Sequence, residues 1–134
     1  MNSVNVLTAK ILGIVLVLVG IVGFIPGLVT NDLLLGIFGV NALHNVIHLV
    51  TGLVLVYVGF VASAQQYARV TNQVLGVVYA LVAILGFANL LGSLINVAGG
   101  VAVADNWLHT LLAIVFLGVG FGVKETTTRG ATAM

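Results

Sequence analysis

A chain of 134 residues has room for one domain. Its 61% hydrophobic and 5% charged content, with a mean hydropathy of +1.30, excludes a water-soluble globule, which carries roughly 25% charged residues. A net charge of +1 gives nucleic acid nothing to hold, and the lack of Cys excludes disulfides, thiolate metal sites and a Cys nucleophile.

The lipid bilayer is therefore the expected surrounding of an integral membrane protein, and a spanning helix needs ~20 apolar residues. Four segments qualify. The first runs from about Leu7 to Leu28 and has no ionisable group after Lys10. Its apolar run is too long for a signal-peptide core, so it is expected to stay attached as a span. Pro26-Gly27, then Thr30-Asn31-Asp32, are expected to end it. The connection from Asn31 to Val40 carries Leu33-Leu34-Leu35-Gly36-Ile37-Phe38, too apolar for an ordinary loop in water. It is expected to lie in the interface or fold back onto the bundle. Asn41 is the expected N-cap of a second span reaching about Ser63. A polar turn over 64–69 leads to a third span from about Asn72 to Leu94, and 96–104 is a connection containing glycine. Asp105 is the expected cap of a fourth span ending near Val123, with a disordered tail over 124–134.

Lys10, Arg69, Lys124 and Arg129 fall on one side of such an arrangement, and Asp32 and Asp105 on the other. The positive-inside bias then places both termini in the cytoplasm, with the cell inner (plasma) membrane or another energy-transducing membrane as the location. The many glycines within the spans are expected to be sites of close helix contact.

The two halves repeat each other, one over about 7–63 and the other over about 72–123. Leu12-Gly13 corresponds to Leu75-Gly76 and Gly23-Phe24 to Gly86-Phe87, both 63 residues apart. Asn45 corresponds to Asn106, His48 to His109 and Gly59-Phe60 to Gly120-Phe121, all 61 residues apart. Each half holds two spans, so the repeats share one orientation about a pseudo-two-fold axis along the membrane normal. His48 and His109 should lie at similar depths, roughly 10 Å and 6 Å into their helices at 1.5 Å per residue. The repeat also pairs His44 with Asp105, giving two i,i+4 pairs, His44/His48 and Asp105/His109.

At these residues the chain resembles the domain of unknown function 4383 family of small four-helix bacterial membrane proteins. The matching features are N-x-x-H-N-x-x-H at Asn41, His44, Asn45 and His48, D-N-x-x-H at Asp105, Asn106 and His109, and Gly23-Phe24-Ile25-Pro26-Gly27. They lie within a resemblance over about 7–123. It implies the fold and the membrane location, with no established activity to carry over.

Histidine and aspartate close to lipid demand partners or water. In the structural reading, Asn41 and Asp105 cap helices, Asn45 and Asn106 bond across the pseudo-axis, the imidazoles satisfy backbone groups, and Trp107 is an interfacial anchor. In a second reading His44, His48, His109 and Asp105 hold zinc or copper, with Asn45 and Asn106 behind them. In a third, His48 and His109 are axial ligands of haem b or chlorophyll. Transport and hydrolysis lack support, because below His48 and His109 the polar groups are Thr51, Tyr57, Tyr79 and Thr110, with no carboxylate or imidazole to relay a proton, and Ser63 and Ser93 lie far from the histidines in sequence.

The resulting expectation is an all-α integral membrane protein, a four-transmembrane-helix bundle made of two tandem helix hairpins. Its expected role is a non-enzymatic accessory or assembly subunit packing with itself or with a larger membrane complex. The alternative is a metal-binding or haem- or chlorophyll-binding membrane protein.

Overall fold

The computed structural model describes residues 3–100 and 102–124, so most of the expected tail, with Arg129, lies outside the described residues. Four helices are long and apolar enough to cross a membrane. Helix α1 (Val4–Val22) starts at Ser3, whose hydroxyl accepts the Val6 N–H at 3.0 Å. It stops at Gly23, short of the expected Leu28. The Gly23 carbonyl accepts a hydrogen bond from Asn45 Nδ2 at 2.8 Å instead of from another helical turn, and Pro26 has no N–H to continue the ladder.

The next connection folds back, as a miniature antiparallel sheet of β1 (Val29–Thr30), β2 (Leu33–Leu34) and β3 (Phe38–Gly39) in the order β1-β2-β3. Asn31 and Asp32, both at positive φ, form the two-residue turn between β1 and β2. The strands are minor beside the helices, and the bundle is otherwise all-α as expected.

Helix α2 (Ala42–Phe60) is capped by Asn41 as anticipated, its side chain accepting the His44 N–H at 2.8 Å. The polar turn is a 3₁₀ helix (Ala62–Tyr67) running directly into α3 (Ala68–Phe87), which begins four residues earlier than expected and ends seven earlier. A single helical turn, α4 (Gly92–Ile95), precedes α5 (Ala104–Gly122). Asp105 is not the cap of α5. The cap position is Val103, with no side-chain bond, and Asp105 sits in the first turn with Oδ2 accepting the Gly39 N–H at 2.9 Å. An acid there still meets the positive end of the helix dipole.

Between helices in lipid there is no hydrophobic driving force, so association relies on close packing and polar bonds. Both hairpins, α1/α2 and α3/α5, pack by the same rule at repeat-equivalent places. A Cβ on Gly13 would stand 2.8 Å from the Val56 nitrogen, and one on Gly76 2.9 Å from that of Leu117. Gly59 lies as tightly on Lys10, and Gly120 on Gln73. Where the hairpins meet, Asn72 Nδ2 donates to Asn5 Oδ1 at 2.9 Å, and the repeat-equivalent positions are Ala68 and Ala9, all four fully buried. The central core joins all four spans around Leu16, Leu55, Tyr79 and Phe116, while residues such as Leu18, Leu53, Leu81 and Ile114 face outward.

At the end opposite the sheet, basic and amide side chains serve the last carbonyls. Arg69 Nε and Gln73 Nε2 donate to the Gly120 carbonyl at 3.0 and 2.9 Å, and Gln65 Nε2 donates to that of Gly59 at 3.0 Å.

Two outcomes are expected from this packing. Gly13→Ala and Gly76→Ala should each cost about 1–3 kcal/mol by overpacking, whereas Gly118→Ala, with open space around its Cβ position, should be neutral or gain up to about 1 kcal/mol of helix propensity. Thermal unfolding in detergent checks the contrast. Asp105→Leu should leave the Gly39 amide buried and unpaired, at about 1–3 kcal/mol, and faster hydrogen exchange of that one amide would show it.

Candidate metal centre

The helix starts position the site. Asn41 caps α2 and, through Nδ2, donates to the Leu94 carbonyl at 3.0 Å, tying the first turn of α2 to α4. His44 stands in that turn, and His48 lies one turn deeper on the same face. His109 comes from the second turn of α5, in the other repeat.

The three imidazoles converge. Ring centroids lie 4.5 Å apart for His44 and His48, 5.7 Å for His44 and His109, and 6.3 Å for His48 and His109. One ligand nitrogen from each lies within 4.8 Å of the others. All three rings are buried, at 2, 6 and 2% exposure; Nδ1 of His48 and Nδ1 of His109 have no hydrogen-bond partner, and the His44 ring meets the backbone of Gly39 and Ile95. Tyr79, which stacks on Phe116, lies 5.8 Å from the His109 ring.

Asp105 does not join the three nitrogens in one ligand group. Its carboxylate is held by the Gly39 amide and is coupled electrostatically to His44. The asparagines also differ from expectation, since Asn45 and Asn106 do not bond across the pseudo-axis. Asn45 donates to the Gly23 carbonyl, and Asn106 Nδ2 donates to those of Ala98 and Gly100 at 3.0 and 3.1 Å. Gly23 and Gly86, lacking Cβ, leave the space these amides fill. Trp107 is half-exposed and meets Phe87 edge-on at 5.2 Å.

A cavity of about 230 Å³ opens against the three histidines and Asp105, walled by residues such as Val19, Val22, Leu34 and Phe38. The second repeat is packed differently at the corresponding place. Val82, the counterpart of Val19, packs there against buried Leu91, Ile95 and Val97. Sequence reading alone did not assign Leu34, Phe38 or Gly39 to the site. Their signal was the apolar run over 33–38, whose expected return to the bundle brings it onto the histidines.

No curated protein and no solved structure matches the chain significantly. A family model described as "Domain of unknown function (DUF4383)" matches residues 7–122, a span that takes in both hairpins and all three histidines. The chain, a four-helix bundle of membrane-spanning length with its buried polar residues gathered at the helix starts, belongs to the DUF4383 family.

Proposed function

We propose that the protein is a membrane metalloprotein holding one first-row transition-metal ion between His44, His48 and His109. The observation that carries this reading is the convergence of three buried imidazoles, drawn from both repeats, with ligand nitrogens within 4.8 Å of one another and ring nitrogens left unpartnered. Neutral imidazole suits zinc, copper, iron and nickel. Ligands at about 2.0–2.1 Å in tetrahedral geometry lie about 3.3 Å apart. Closing on an ion therefore takes side-chain rotations of about an ångström and no rebuilding of the helices.

A cation there needs an anion in a poorly screened setting. Asp105, 3% exposed and coupled to His44, supplies it while staying bonded to Gly39. Three protein ligands leave one position open, as in catalytic rather than structural zinc sites. All three histidines line the cavity.

The tetrapyrrole reading has less support. A macrocycle between His48 and His109 needs a cleared plane, whereas the His44 ring stands 4.5 Å from one and 5.7 Å from the other. A lateral role in a larger complex has no comparable single observation behind it. In the proposed arrangement both chain ends face the cytoplasm and the ion lies towards the external side, following Lys10 and Arg69 at one end and Asp32 and Asp105 at the other.

The test is metal content by elemental analysis of detergent-purified protein after zinc loading and removal of excess. About one ion per chain is expected, with at least tenfold weaker binding in His44→Ala, His48→Ala and His109→Ala. Asp105→Asn should keep the stoichiometry and bind about 10–100-fold more weakly. Zinc at 100 times its Kd should add about 2.7 kcal/mol of stability to the native chain and none to the His48→Ala variant. Histidine variants that bind zinc like the native chain, or substoichiometric metal for zinc, copper and cobalt alike, would reject the proposal.

A further inference from the structure

The cavity beside the histidines has the size and lining of a ligand site. We infer that it admits, from the lipid, a neutral one-ring lipophile bearing a single hydroxyl or carbonyl oxygen, whose oxygen takes the open position on the ion. This rests on the metal reading above.

Three observations carry it. An apolar cavity of about 150 Å³ holds a benzene ring, so about 230 Å³ suits one substituted ring and is too small for a drug-sized molecule. Its polar lining is confined to Asp105 and the three imidazoles, which cluster together, so an occupant with one polar group has one favoured orientation. Leu18 and Leu35, which also line it, are 55% and 60% exposed on the outer surface of the bundle, which puts its mouth between α1 and the miniature sheet, towards lipid.

The two repeats differ at this place. Leu91, Ile95 and Val97 fill the corresponding place in the other half, so the space does not follow from the duplicated hairpin alone. Leu35, a non-glycine residue at φ 54°, is held at the rim in a backbone conformation that costs of order 1 kcal/mol.

The experiment uses the full chain loaded with cobalt(II), whose visible d–d bands report its ligands, and p-cresol as the probe. Saturable displacement of the bands by p-cresol is expected. Toluene should compete with p-cresol without itself moving the bands, and acetate, which lacks the apolar body, should be at least tenfold less effective. Leu34→Trp, which fills the cavity, should keep one cobalt per chain and lose the p-cresol response at least tenfold. Val19→Phe, placed on α1, gives the same result should the first variant fail to fold. Stoichiometric cobalt with bands indifferent to p-cresol, an acetate response as strong as that of p-cresol, or cavity-filled variants that respond like the native chain would each overturn the inference and leave the metal site standing. Failure of the native chain to bind zinc, copper and cobalt alike would overturn both.

Discussion

Imidazole nitrogens buried without partners are the constraint on which the remainder of this structure depends. Each unpaired buried polar atom costs about 1–3 kcal/mol, and His48 and His109 present two such nitrogens beside the buried His44 ring. The rest of this end of the bundle is arranged around them. Glycine contacts within each hairpin bring the backbones close. Asn45 and Asn106 occupy the spaces opened by Gly23 and Gly86, and Asn41 fixes the first turn of α2. Asp105 draws Gly39, and with it the miniature sheet, onto the same end of the bundle. A single ion accepting three lone pairs would offset part of that cost at one stroke.

The duplicated hairpin explains why the histidines meet and why their surroundings are unequal. Equivalent glycines make both hairpins alike, so His48 and His109 enter at similar depth and face each other. The first repeat carries His44 where the second carries Asp105, turning a symmetric pair into three imidazoles and one carboxylate. The connections diverge too. Residues 29–40 form a strand-built cover over a hollow, whereas Leu91, Ile95 and Val97 fill the equivalent space.

Much of this was legible in the residues. Spans follow from apolar runs of bilayer length, and the two offsets of the repeat suffice to bring His48 opposite His109. Asn41 as a cap was readable because capping is local. Long-range partners were not. Gly39 lies 66 residues from Asp105, and nothing near that acid distinguishes a cap from a latch. Symmetry suggested that Asn45 and Asn106 would bond to each other, but each is taken by carbonyls near its own hairpin turn, where a glycine makes room. The short strands had a signal that went unread, since Asn31-Asp32 between Val29-Thr30 and Leu33-Leu34 fits a two-residue hairpin turn. The strong apolarity of 33–38 fitted either a place in the interface or a return to the bundle; the strands fold back, and Leu34 and Phe38 wall the cavity.

The central claim is that the three rings surround one ion. An anomalous difference map, from crystals of zinc-loaded protein measured at the zinc absorption edge, tests it most directly. One peak per chain is expected, about 2.0–2.1 Å from a nitrogen of each of His44, His48 and His109. A map with no peak there, and the imidazoles hydrogen-bonded to water or to one another, would contradict it.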